Sequence, residues 1–506
     1  MAQVSQLGRS VLQRGPLQRS PFQRSPFRQR VLVSATACAL ALCLAPAGAQ
    51  EADVAQQARE AAWAGRTSEA LRLMDQHLAA YPDDRAARLD RARYLSWNGD
   101  YAAAIEALDA LGADDDDARA VRARVMAWAG RRDAALALNT PLYQAAPDEY
   151  DYAWTQALAE RLGHRPETAL PPLETVRRLQ PDGPDSLSLT KSVRLPLFSS
   201  IGLPASVYED SDDIEIRSVG LEGSLRLSDA WRVIAAGARR DHSAPVTGPF
   251  APVNGGDSLD ETRTQVGVRY SATPDVAVDL WLGRSALDGD NGFDDDDTIG
   301  QLALSHQASD TFGYALSVDR DRVAASPRAL SLGVMRTGTA ASLQWQPSLR
   351  DAVTTRLGFD DFNDGNRRHT LDAEYRRAFH RGPRANLDLG AQLEWQGNSR
   401  DTGNGYYSPD RYVRLAPMAS SYIKLSEEAG LYLAAAVGVQ RDDTFDSWKR
   451  ASDVSAELTL GIFTRWQLVA RAGYSERLNE FGRYEGRNFG LALRYRFCEL
   501  RADRCP

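Results

Sequence analysis

The stretch Asn488 to Phe497 reads NFGLALRYRF. In an extended strand, alternate side chains point to opposite faces. Phe489, Leu491, Leu493, Tyr495 and Phe497 then share one face, and Asn488, Gly490, Ala492, Arg494 and Arg496 share the other. The first face is apolar with aromatic ends; the second is small or cationic. In a soluble sheet the apolar face would be covered by a core. In a closed barrel it meets lipid, and the arginines face a wet lumen. The rest of the chain has to decide between the two.

Upstream the same period of two recurs. Val276, Val278, Leu280 and Leu282 alternate with Ala277, Asp279, Trp281 and Gly283. Leu387, Leu389, Ala391, Leu393 and Trp395 alternate with Asn386, Asp388, Gly390, Gln392 and Glu394. Connections alternate between short (Ala272 to Asp275, Arg381 to Arg384, Ser426 to Glu428) and long (Ser199 to Asp213, Ala244 to Glu261, Ala286 to Asp297, Asn398 to Asp410). Short periplasmic turns and longer outside loops are the habit of bacterial barrels. The count is 16 strands if Leu187 to Leu197 is the first and Ala329 to Pro347 is one long strand. An even count puts both ends of the barrel on the same side. A β-sandwich is the competing reading, in which connection lengths need not alternate.

Composition allows this. The chain has 506 residues, 43% hydrophobic, with mean hydropathy −0.42 and net charge −8. No run of about 18 apolar residues follows the leader, so no membrane helix is expected. Half-polar barrel strands escape such averages. The acidic balance argues against nucleic acid as a partner. At the N-terminus, Arg14, Arg19, Arg24, Arg28 and Arg30 precede an apolar run, Val31 to Pro46. Ala47-Gly48-Ala49 then offers a small-residue cleavage site before Gln50, so residues 1–49 read as a signal peptide. Two of the four cysteines leave with it. Cys498 and Cys505 remain in a tail, 498–506, either as a disulfide or as two free thiols.

Between the leader and about residue 185 the period is helical and repetitive. Trp63-Ala64-Gly65, Trp97-Asn98-Gly99, Trp128-Ala129-Gly130 and Leu162-Gly163 recur, with the glycines 34, 31 and 33 residues apart. Each is followed by an Ala in the next helix: Ala70, Ala104, Ala135 and Ala169. Pro82, Pro147 and Pro181 close units. Period, turn glycine, packed Ala and terminal Pro match the tetratricopeptide repeat. Residues 50–185 are therefore expected as a helical repeat domain of about four units, and 186–497 as a barrel.

Chemistry is sparse. Six histidines are scattered without metal-ligand spacing, and no hydrolase elbow or phosphate loop occurs. Asp288 to Asp297 looks like a calcium loop but lacks its one-residue spacing and closing Glu; a solvated acidic loop is the simpler reading. No enzyme activity, cofactor or metal is called for. The lumen-facing candidates are Arg269, Asp279, Trp281, Arg376, Asp388, Glu394, Arg494 and Arg496. Both signs are interspersed, which suits a hydrated polymer or a stabilising charge network.

The terminal strand resembles the C-terminal insertion signal of bacterial barrels, matched by Asn488, Gly490, Leu493 and Tyr495 and closed by Phe497. Repeats followed by a 16-stranded barrel also resemble the exopolysaccharide export porins: the cellulose-secretion outer-membrane subunit and the poly-N-acetylglucosamine porin. The Trp-x-Gly turns and Tyr406 to Tyr412 (YYSPDRY) resemble smaller barrels of the YaiO type. The resemblance implies an outer-membrane pore with repeats and both termini in the periplasm. Its partners would be membrane lipid, the barrel-assembly machinery, a secreted polysaccharide, and periplasmic or inner-membrane synthase proteins that dock on the repeats. The alternative is a surface receptor or assembly scaffold with a closed lumen.

Overall fold

The computed structural model describes residues 48–112, 115–445, 447–479 and 482–499. Residues 1–47, most of the expected leader, lie outside these, as does Cys505. The chain divides into two compact units. One is built from residues up to Ala159 together with Pro171–Thr190; the other is Glu160–Leu170 with Lys191 onward.

The first unit is made of paired helices. They are α1 (Gly48–Trp63), α2 (Thr67–Ala80), α3 (Arg85–Trp97), α4 (Tyr101–Leu111), α5 (Asp116–Trp128), α6 (Arg132–Ala145) and most of α7 (Tyr150–Glu160) and of α8 (Leu170–Leu179). Each of the first three pairs turns on a glycine with positive φ: Gly65 at 75°, Gly99 at 79° and Gly130 at 79°. That region excludes most side chains, so glycine sets the turn. Ala70, Ala104 and Ala135 are fully buried, which lets the paired helices approach. Asp84, Asp100 and Asp115 cap α3, α4 and α5, accepting from Ala87, Ala103 and Ala118 backbone N–H groups at 3.0 Å each. Two apolar clusters, one around Met74 and Tyr94 and one around Leu108 and Val125, run through the stack.

The second unit is a closed barrel of 16 antiparallel strands in sequence order, with β16 pairing back to β1. Its strands are β1 (Ser199–Asp210), β2 (Glu215–Arg226), β3 (Trp231–Ser243), β4 (Ser258–Ser271), β5 (Val276–Gly289), β6 (Phe293–Ser309), β7 (Phe312–Arg322) and β8 (Met335–Trp345). The second half comprises β9 (Asp351–Phe362), β10 (Arg367–Arg381), β11 (Ala385–Asn398), β12 (Tyr412–Lys424), β13 (Ala429–Asp442), β14 (Lys449–Leu460), β15 (Trp466–Asn479) and β16 (Gly482–Phe497). The end where β1 starts and β16 finishes is called the terminal end; its turns are short. Three long connections, 244–257, 323–334 and 399–411, lie at the far end.

One face of the wall carries exposed Ile201, Leu203, Val219, Leu221, Val266 and Leu282. A contiguous exposed apolar band of this kind needs lipid. At the terminal end it finishes in aromatic pairs: Trp231 with Tyr270 at 4.5 Å and Trp466 with Tyr495 at 4.6 Å. Such girdles mark the membrane interface. No described helix is long and apolar enough to cross a membrane.

Four local readings are corrected. Leu187 to Leu197, expected as the first strand, is the helix α9 (Pro184–Arg194) followed by a 3-10 turn. The first strand is Ser199–Asp210, within the stretch expected as a long loop. Ala329 to Pro347 is not one strand: a short helix, α10 (Pro327–Ser331), precedes β8, because Ser326 caps it by accepting from Ala329 N–H. Ala286 to Asp297 is no long loop either. It is a tight hairpin between β5 and β6 around a 3-10 turn, Asp290–Gly292.

Candidate functional site: a wide lumen with covered ends

Pairing registers fix which side chains share the inner face. Arg269 lies opposite Asp279 and Gly267 opposite Trp281. Arg376 lies opposite Gly390, Glu394 opposite Arg414, and Arg494 opposite Gly202. Strand alternation from these positions places all eight candidates, including Asp388 and Arg496, on the face opposite the apolar band. On β2, β3, β5, β8, β9 and β16 the middle of this face carries small residues, Gly220, Ala238, Gly283, Ala340, Gly358 and Gly490, that are only half-buried, whereas on β12 and β13 it is buried, with Ala416, Met418 and Ala436 clustered together. A wall of small, half-buried residues is not packed by side chains from across the barrel. Sixteen strands leave room for an aqueous lumen, whereas eight are filled.

Most of the charges on this face are paired. Arg269 holds Asp279 through two bonds of 2.7 and 2.9 Å. Arg376 pairs with Glu374 at 2.9 Å, and Asp388 with Arg381 at 2.5 Å. Arg494 reaches over Gly202 to Glu222 at 2.9 Å. Glu394 takes Arg414 at 2.7 Å, and Arg414 also pairs with Asp453. Arg496 donates to Gln467 Oε1 at 2.7 Å. Trp281 lies over Gly267. The sequence did not single out Arg336, which bridges Asp319 and Asp360 across Gly338.

Towards the far end the lumen narrows. Glu261 and His242 are fully buried. Glu261 accepts from Ser285 Oγ at 2.6 Å and faces Arg240, His242 and Arg263, each at 3.3 Å. Above this cluster the three long connections interlock. Leu330 of α10 packs on the inward Leu259 and Leu287. Ser326 Oγ donates to Gly405 O at 2.6 Å, Arg328 N–H to Phe250 O at 2.9 Å, and Val253 N–H to Ser331 Oγ at 2.9 Å. Tyr406 stacks on Phe362 at 5.1 Å, and burial pushes its phenol up to about 12. The expected acidic loop joins this closure: Asp295 holds Arg322 at 2.7 Å. Among the described residues no group of three or more His, Cys, Asp or Glu could hold a metal.

The terminal end is covered in part by the rest of this unit. The last repeat-like turn, at Gly163, has φ 103°, and His164 N–H donates to Pro274 O at 2.7 Å. A side chain on Gly163 would strike that carbonyl. Arg165 Nε donates to Ser271 O at 2.8 Å, Glu167 pairs with the inward Arg226, and Pro196 O accepts from the inward Arg232 at 3.0 Å. Cys498 is buried beside Leu195 and Phe198 and is disulfide-bonded.

The insertion-signal positions sit in β16. Leu493 is exposed on the apolar face, and Tyr495 contacts Trp466 and Phe497. Asn488 and Gly490 are inward, opposite Gly473 and Arg471. Among the repeat turns, Trp63 is exposed, Trp97 is half-buried and Trp128 is buried against Trp154.

Comparison with known proteins agrees with this architecture. Residues 256–431 match the PgaA membrane beta barrel domain, and residues 63–128 match the tetratricopeptide repeat. No curated protein matches at a significant level. Among solved structures, a bacterial polysaccharide outer membrane secretin superposes with TM-score 0.51 at 15% identity, covering 60% of this chain and 99% of that one. CdiB from Acinetobacter baumannii gives TM-score 0.36 at 9% identity, covering 58% and 60%. The chain is an outer-membrane barrel preceded by tetratricopeptide repeats.

Proposed function

We propose that this outer-membrane barrel guides a secreted polysaccharide through its lumen, with the repeats and both chain ends in the periplasm. One observation carries the reading: much of the middle of the inner face is lined by small, half-buried residues, while most of its charges are held in ion pairs. Paired charges still offer hydrogen bonds but exert little net field, so a hydroxyl-rich chain can slide without being trapped. The interlocked far-end connections act as a gate. The repeats, whose folds in general present protein-binding surfaces, would receive a periplasmic or inner-membrane synthase component. Insertion by the barrel-assembly machinery would use β16.

Deleting the gene tests this. Surface glycan should fall while intracellular synthesis continues. The interlocked connections favour a second reading, a receptor or assembly scaffold with a permanently closed lumen. Unchanged surface glycan in the deletion strain would select it.

A further inference from the structure

The indole of Trp281 lies flat against the barrel wall. A methyl group placed on the inward side of Gly267 would fall 2.5, 2.7 and 2.9 Å from its Cδ2, Cε3 and Cε2. The ring therefore covers the glycine, and Gly267 is buried although it faces the lumen. Trp281 itself remains partly exposed. With one ring face on the wall, the other is turned toward the lumen. The next inward position on β5 is Gly283, so no side chain stands over the ring from that side.

Polar groups flank this platform. Gln301 on β6 is directly opposite Trp281, and Gln265 on β4 is one inward position beyond Gly267. Neither carboxamide has a hydrogen-bond partner among the described residues. Both are partly exposed. On the other side is the Arg269–Asp279 pair, with bonds of 2.7 and 2.9 Å. A flat aromatic face bordered by free amides and a neutralised ion pair suits one ligand chemistry. A pyranose sets its C–H face on the indole and turns its hydroxyls to the amides and the carboxylate. Asp279 neutralises Arg269, and the next guanidinium, Arg232 opposite Arg269 on β3, already donates to Ser224 Oγ at 2.9 Å and Pro196 O at 3.0 Å, so neither is left without an acceptor for a uronate.

We infer that Trp281, Gln265 and Gln301 form a binding step for an uncharged pyranose of a glycan chain inside the lumen. This rests on the polysaccharide reading and narrows its substrate to neutral sugars at this point.

The test uses the full-length protein in detergent, with and without residues 323–334. Tryptophans are oxidised with N-bromosuccinimide, and Trp281 is followed by peptide mass spectrometry. The probes are cellohexaose, the N-acetylglucosamine hexamer and a galacturonate hexamer. A neutral hexamer should slow oxidation of Trp281 several-fold, leave the outward Trp231 and Trp466 unchanged, and outperform the galacturonate. Trp281→Ala should weaken hexamer binding about tenfold, and Trp281→Phe should retain part of it. Unprotected Trp281 in both forms of the protein overturns the site, as does binding unchanged by Trp281→Ala. The gene-deletion result is independent. Protection of Trp281 with unchanged surface glycan would keep the sugar site and discard export.

Discussion

Arg263 on β4 holds Asp321 on β7: its Nη2 lies 2.8 Å from each carboxylate oxygen. Two strands intervene between them, so the contact spans a chord of the lumen rather than a step along the wall. It sits with Glu261 beneath α10, where the far-end connections meet. An ion pair that crosses a channel constricts it, and its loss widens it. Asp321→Asn, or removal of 323–334, should therefore raise single-channel conductance in planar bilayers, with weak preference for either ion sign. Arg263 keeps Glu261 as a neighbour at 3.3 Å, so Asp321→Asn should cost only about 1–3 kcal/mol. Electrical silence in both variants would mean that these connections are not the gate.

The last strand joins the two ends of the wall, pairing with β1 from Ser199 to Asp210 and with β15. Tyr495→Asp with Phe497→Asp places two charges on the outward face at the terminal-end girdle. Near an interface the membrane cost is below about 1 kcal/mol each, and the Trp466 contact is also lost. Loss of closure and of the insertion signal should clear the protein from the outer-membrane fraction. Immunoblots of fractionated cells with the variant at normal outer-membrane levels would refute a role for this strand in insertion.

A strand such as β11 was legible because its outward residues are apolar and its inward ones polar or glycine from Ala385 to Gln396. The first strand was not. Its inward side is Ser200, Gly202, Pro204 and Ser206, which reads as loop. Pro204 lacks an N–H, and pairing to β2 skips Leu203 and Pro204. Leu187 to Leu197 carries its buried Leu189 and Val193 four apart, a helical spacing that also leaves odd positions apolar. Ser326-Pro327 before Ala329 was a readable helix start that gave way to the expectation of a long strand. The lumen candidates could be placed by parity alone. Not every partner could be: Arg494–Glu222 joins residues from strands that do not pair with each other, as does Arg263–Asp321. Nor does sequence show that Gly267 is the seat of Trp281.

In the repeat unit, Gly99 at φ 79° permits the turn between α3 and α4. Gly99→Val forces a β-branched residue into a left-handed conformation, at about 1–2 kcal/mol or more. A soluble fragment of residues 51–190 should be helical, and the substitution should lower its melting temperature by roughly 5–10 °C by circular dichroism. An unshifted melt would remove the turn assignment.

Acid should loosen the same fragment at a definable point. Asp84 caps α3 through Ala87 N–H and accepts from His77 Nε2 at 2.9 Å. The Ala87 bond first, then His77, lowers its pKa below the usual carboxylate value of 3.8. A carboxyl whose folded pKa is depressed stabilises the fold above its unfolded pKa, and that contribution fades as pH falls through the folded one. The melting temperature of the fragment should therefore hold above about pH 5 and decline below about pH 4. Asp84→Ala removes the cap, at about 1 kcal/mol near neutral pH. Since the variant has no carboxylate there to protonate, its melting curve should approach that of the parent as the pH drops toward 2. Parallel curves for the two proteins across the whole range would show that this carboxylate does not couple protonation to the stability of the repeats.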